Sequence, residues 1–264
     1  MRAVPVAVVG NLSLDLVEGR PPRPGGPPFY ASRALSALGV PATVRVKCAA
    51  ADRPAFGQAL AGVRAEWLDG STTAAYAFSY DGDVRTMEVR ALGEPWSADE
   101  LEGLSGWVHV GALYRGEFPA AALATLRECG AHVSLDGQGL VRPSRLGPLV
   151  LEPEPDTSFL RHVSILKLAE EEARVLVGAL EERALSALGV PEVVVTLGAR
   201  GCLVVARRTL VHVPAEPLEG IDPTGAGDAF AAAYLVARSR GRAPRAAAAR
   251  ATRVVHDLLA RAAR

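Results

Sequence analysis

Short apolar runs alternate with stretches of helical periodicity through most of the chain. Val4–Val9, Ala42–Cys48, Trp107–Val110, His132–Leu135, Val163–Lys167 and Val193–Leu197 read as strands buried on both faces. Between them, Phe29–Leu38, Pro119–Cys129 and Glu170–Val177 carry apolar residues at helical spacing. A helical and then an extended stretch near Ala55–Gly62 and Ala65–Leu68 fit the same alternation. Cys202–Ala206 and Leu210–Val213 continue as strands, and two helices, Ala226–Arg238 and Arg245–Ala263, close the chain. Strands separated by helices predict an α/β fold with a mostly parallel sheet covered on both faces.

One stretch departs from this rhythm. Thr72–Tyr80 and Val84–Arg90 alternate apolar and polar positions around Asp81-Gly82-Asp83, the pattern of a half-exposed β-hairpin. Within a parallel α/β domain it is either an edge decoration or a lid. The Pro/Gly-rich segment Gly19–Pro28 is expected near it. No internal repeat and no long linker interrupts the 264 residues, so 1–264 is read as one domain.

Composition narrows the partners. Acidic and basic residues number 29 each, which leaves no net field to draw in nucleic acid or an anionic membrane. Cys48, Cys129 and Cys202 lie far apart in apolar settings and read as free thiols, and the five histidines form no ligand pair. The first apolar run is too short to span a membrane and leads into Gly10-Asn11 and Asp15 rather than a cleavage site. A cytoplasmic protein is expected.

The chemistry concentrates in Asp222-Pro223-Thr224-Gly225-Ala226-Gly227-Asp228-Ala229-Phe230. Gly225, Ala226 and Gly227 leave the backbone uncovered just before a helix, whose unpaired amides and positive dipole end suit an anion. Asp228 adds a carboxylate on the first turn. Beside an anion cradle, a carboxylate makes sense as the base that takes a proton from an attacking hydroxyl. An ordinary Gly-rich turn followed by an N-cap is the alternative reading of the same residues.

The string resembles the D-x-x-G-A-G-D-A-F signature of the ribokinase-like (PfkB) carbohydrate kinases at every defined position, and the likeness continues in family order along the chain. It implies a ribokinase-like three-layer sandwich with a small β lid, drawn from about residues 12–28 and 71–91, that closes over the acceptor and forms a homodimer contact. It implies ATP and Mg²⁺, with K⁺ as a further cation. Asp228 is implied as the general base, with Gly225, Ala226 and Gly227 as the anion hole and Thr196 and Gly198, in Thr196-Leu197-Gly198-Ala199-Arg200-Gly201, on the ATP side. Asp15, Gly25, Gly26 and Tyr30 are implied on the acceptor side. Glu172 matches the family's magnesium glutamate, although Ala169 stands where asparagine is usual; three glutamates at a helix start are also ordinary dipole complement. Asp222 is implied as a monovalent-cation ligand, with turn stabilisation as the alternative.

Ribokinases carry Asn four residues after the second glycine, where this chain has Tyr30. Gly25-Gly26-Pro27 with Phe29-Tyr30, Tyr114–Pro119 and Asp136-Gly137-Gln138-Gly139-Leu140-Val141-Arg142 look more like the inositol-kinase branch, and Gln138 is thereby added to the acceptor contacts. The acceptor expected is a small sugar or cyclic polyol, myo-inositol-like favoured over ribose, fructose-type sugars or nucleosides. A non-catalytic sugar or nucleotide sensor is the reading from another class. The chain has no G-x-x-x-x-G-K-[ST] loop and no strand-linked G-x-G-x-x-G, which argues against Walker-type ATPases and Rossmann dehydrogenases.

Overall fold

The computed structural model describes residues 4–81, 84–153, 155–218 and 220–262. In chain order its first strands and helices are β1 (Val6–Asn11), β2 (Ser13–Val17), β3 (Arg23–Gly25), α1 (Pro27–Ala37), β4 (Thr43–Ala49), α2 (Arg53–Leu60) and β5 (Arg64–Gly70). Next come β6 (Ala74–Asp81), β7 (Val84–Ala91), β8 (Trp107–Val110), α3 (Ala120–Glu128), β9 (His132–Asp136), α4 (Gln138–Val141) and β10 (Gly147–Pro148). The chain finishes with β11 (Ile165–Ala169), α5 (Glu170–Val177), α6 (Glu182–Ser186), β12 (Glu192–Thr196), β13 (Cys202–Ala206), β14 (Thr209–Val213), α7 (Ala226–Ser239) and α8 (Pro244–Ala262).

The large sheet runs β14-β13-β12-β11-β9-β8-β1-β4-β5. Its pairs from β12 through β5 are parallel, and only the β12-β13-β14 edge is antiparallel. Side chains alternate across each strand, so each strand feeds two cores. Val6, Val8, Val44, Val46 and Val194 face a core shared with α1, α2, α7 and α8. Ala7, Val9, Val133, Leu135 and Val195 face the opposite core, with residues of α3, α4, α5 and α6. The result is the three-layer sandwich expected. No helix among the described residues is long and apolar enough to cross a membrane.

A second sheet runs β10-β7-β6-β2-β3. β6 and β7 are the expected hairpin, antiparallel throughout, while Gly82 and Asp83 of its turn lie outside the described residues. The Pro/Gly-rich segment supplies β3, and β2 pairs with β6 in parallel. Ala74, Tyr76 and Phe78 are buried at every second position of β6, packing with Val89, Leu113 and Tyr114. β2, β3 and β10 were not expected as strands.

α7 is set deep in the first of these cores. Ala229 to Ala237 are all buried, so this helix is enclosed on every side, mainly by α1 and α8. An apolar helix in that position fixes the orientation of its own first turn. Burial of each large side chain, such as Leu235, contributes about 1.5–3 kcal/mol.

Candidate active site

A cavity of about 650 Å³ opens between the small sheet, the carboxyl ends of the parallel strands and the N-terminus of α7. Crevices beyond the strand ends are where open α/β sheets hold ligands. Asp15, Gly26, Tyr30 and Gln138 line one part of it, with Tyr76 and Phe78 from the small sheet. Thr196, Gly198 and Glu172 line another part, and Gly225, Ala226, Gly227 and Asp228 lie in the same wall system. Gly25 sits beside it: a β-carbon there would fall 2.3 Å from Asp15 Oδ1. Asp222 borders an adjoining cavity of about 350 Å³ instead.

Toward the small sheet, Tyr30 Oη donates to Asp15 Oδ2 at 2.9 Å and Ser13 Oγ donates to Oδ1 at 3.3 Å. Burial, and then the Asp15 charge, push the Tyr30 phenol up, so it remains a proton donor. Gly26 caps the start of α1 with φ 92, close against Asn11 and Ser13. Glu117, from the Tyr114–Pro119 stretch, proves structural. It is fully buried and accepts the amides of Asn11, at 3.3 Å, and Leu113, tying β1 to the loop after β8.

At α7 the cradle is narrower than the sequence alone suggests. Ala226 N–H donates to Pro223 O at 3.0 Å, and Ala229 N–H begins the helical ladder at Gly225 O. Gly227 and Asp228 carry the first-turn amides that a helix leaves unused. Gly225 has φ 77, and a β-carbon there would lie 2.0 Å from Tyr30 Cδ1, so glycine is required by both conformation and space. The Asp222 Oδ1 accepts from Thr224 N at 3.0 Å and Thr224 Oγ1 at 2.6 Å, which is the turn-stabilising alternative.

Asp228 is 8% exposed, and its Oδ1 has no hydrogen-bond partner. Burial, and then the Asp136 charge, push its carboxyl up to about 7, against the opposing pull of Lys167 and Arg142. Three residues not assigned a role from sequence complete this cluster. Asp136 is fully buried and bridges to Lys167 Nζ at 3.2 Å; the two are partners on adjacent parallel strands. Arg142 Nη2 lies 4.0 Å from Glu172 Oε1. Burial disfavours the Lys167 ammonium, but Asp136, Glu172 and Asp228 outweigh it and hold its pKa above the usual value. One signal for Lys167 was available: it is one of two lysines in a chain rich in arginine.

Glu172 is buried, and its Oε2 accepts the Ala169 amide at 2.8 Å, closing the start of α5. Burial raises its pKa, and Lys167 opposes that rise. Among the described residues no three acidic, histidine or cysteine groups converge as a metal cage. A single carboxylate beside a helix N-terminus would fit magnesium, which keeps its waters and takes most of its other ligands from a bound phosphate.

Residues 107–255 match the profile of the pfkB family carbohydrate kinases. The chain belongs to that family. A fructokinase from Salmonella thompson is 29% identical over 149 residues, covering 52% of this chain and 66% of that one, just under two thirds of its length. Among solved structures, a pyrophosphate-dependent kinase in the ribokinase family, complexed with a pyrophosphate analog and myo-inositol, superposes with TM-score 0.86 at 23% identity. That superposition covers 97% of this chain and 95% of the other. The Arabidopsis thaliana ribokinase complexed with ribose and ATP gives 0.72 at 23% identity, covering 97% and 99%. At these identities the structural likeness is one of fold, and the pfkB chain described here has the ribokinase-like α/β architecture.

Proposed function

We propose that this pfkB-family protein transfers the terminal phosphoryl group of ATP to a hydroxyl of a neutral sugar or cyclic polyol, a myo-inositol-like acceptor being favoured. The observation that carries the reading is the buried Asp228, its Oδ1 unpartnered, on the first turn of α7 in a cavity shared with Asp15. A buried carboxylate oxygen with no hydrogen-bond partner is costly in a finished structure and useful where a substrate proton is to be taken.

The acceptor oxygen forms a bond to the γ-phosphorus as the bond to the β,γ-bridging oxygen breaks, the electron pair leaving on ADP. The hydroxyl proton passes to Asp228. Gly227 and Asp228 amides hold oxygens of the transferring group, and Asp15, oriented by Tyr30, aligns the acceptor. Magnesium, when bound near Glu172, offsets the triphosphate charge. Asp222 is proposed only as a cation ligand secondary to its turn, to be read from rates in potassium against choline buffer.

The acceptor preference rests on unpartnered buried atoms: Gln138 Oε1, Arg142 Nε and Tyr76 Oη all belong to residues lining the cavity. With the Asp15 carboxylate they offer acceptors and donors to a ring bearing hydroxyls on several edges, between aromatic walls. The donor preference rests on Leu218, Ile221, Val255 and Leu259, an apolar wall suited to a nucleobase and of no use to bare pyrophosphate. The cytoplasmic setting fits three free cysteines. Lid closure and a homodimer through the small sheet fit the exposed Leu146 and Val150, which flank β10 at its edge.

The test is a panel of myo-inositol, ribose, fructose and adenosine against ATP and pyrophosphate. Turnover of myo-inositol with ATP supports the full reading. A pentose or fructose turned over in its place overturns the acceptor preference, and ligand binding without turnover favours the sensor.

A further inference from the structure

The chain has only two lysines, and both are buried, at 3% and 4% exposure. They are used differently. Lys47 Nζ meets Glu100 Oε2 at 2.7 Å and Pro95 O at 3.0 Å, and lies 4.9 Å from the centre of the Trp96 ring. Its contacts are all with the protein. Lys167 Nζ makes one hydrogen bond, to Asp136 Oδ2 at 3.2 Å, although an ammonium has three N–H groups to give. Lys167 also lines the cavity.

Its position is unusual in sign. A β-carbon on Gly227 would lie 2.8 Å from Lys167 Nζ, so the ammonium sits against the first turn of α7. A cation at a helix N-terminus faces the positive end of the dipole. An anion seated between the ammonium and the Gly227 and Asp228 amides would satisfy both and take up the spare donors. A compact ammonium suits a place beside a residue without a side chain.

We propose that Lys167 is a catalytic residue whose ammonium contacts the phosphoryl group in transit, opposite the α7 amides. This rests on the kinase reading. As the acceptor oxygen bonds to phosphorus and the bridging oxygen leaves with its electron pair, Lys167 carries no proton away; it meets charge on the non-bridging oxygens. The competing role is a counterion for Asp136 alone.

The experiment uses the full chain and four variants: Lys167→Met, Asp136→Asn, the double variant, and Asp228→Asn. The expected result for Lys167→Met is kcat lower by about 10²–10³-fold, with acceptor KM and ADP affinity within about three-fold of wild type. The double variant removes the Asp136 charge together with the ammonium hydrogen-bonded to it, so it is expected to fold even where the single variant does not. It is expected to stay slow relative to Asp136→Asn. Recovery of the double variant to within about three-fold of Asp136→Asn would overturn the proposal and leave Lys167 a counterion. A wild-type protein that transfers nothing to any acceptor overturns the kinase reading first and this proposal with it. Normal turnover in Lys167→Met beside a dead Asp228→Asn overturns this proposal alone.

Discussion

Tyr30 donates its phenolic proton to Asp15 Oδ2 at 2.9 Å while its ring lies against the α-carbon of Gly225. One side chain therefore touches both the Asp15 carboxylate on the small sheet and the loop that begins α7. Tyr30→Phe keeps the ring and removes the hydrogen bond. The expected outcome is an acceptor KM raised about 3–10-fold with kcat little changed, and stability lower by about 1–2 kcal/mol. Steady-state kinetics and urea unfolding check it; a fall in kcat alone would contradict the positioning role.

Gly225→Ala puts a β-carbon 2.0 Å from Tyr30 Cδ1 at φ 77. The variant is expected to lose at least about 2 kcal/mol, from strain and overlap together. Tyr30→Ala opens that space, so the double variant should be more stable than the sum of the singles by about 1 kcal/mol or more. Additive losses in denaturant unfolding would show that the two residues are not in conflict.

The pH dependence follows from Asp228. Its carboxyl is pushed up to about 7 by burial first and Asp136 second, and a general base must be ionised to act. kcat/KM is therefore expected to rise with pH through about 7 and level off above it. Removing the neighbouring negative charge in Asp136→Asn should move that rise to lower pH. A profile flat from pH 5 to 8, measured across that range, would contradict it.

Glu172→Gln separates the helix cap from the metal. The amide oxygen can still accept from Ala169 N, so α5 should keep its start. The magnesium concentration giving half-maximal rate is expected to rise about ten-fold. Unchanged magnesium dependence, followed by titration, would leave Glu172 as a cap only.

Much of the sheet was legible because parallel strands buried on both faces leave unbroken apolar runs, as in Val193–Val195. Boundaries moved by a few residues: Val4–Val9 became Val6–Asn11, since β4 pairs with β1 as far as Asn11. β2 was missed because Ser-Leu-Asp-Leu-Val is too short and polar to stand apart from the strand before it, and β3 because Pro24 reads as loop. β10 exists only by pairing with β7.

For the site, a contiguous string pointed to Asp228. The groups around it could not be read that way. Lys167 meets Asp136 across 31 residues because β11 lies beside β9, and Tyr30 meets Gly225 through the packing of α1 on α7. Such contacts belong to strand order and helix packing, which no local pattern records.

The kinase reading turns on Asp228 taking the acceptor proton. The measurement is acceptor-dependent ADP formation by Asp228→Asn beside wild type, with folding and ADP binding followed on the same samples. Turnover is expected to fall about 10²–10⁴-fold with both of those retained. Near-normal turnover by a folded Asp228→Asn protein would contradict it.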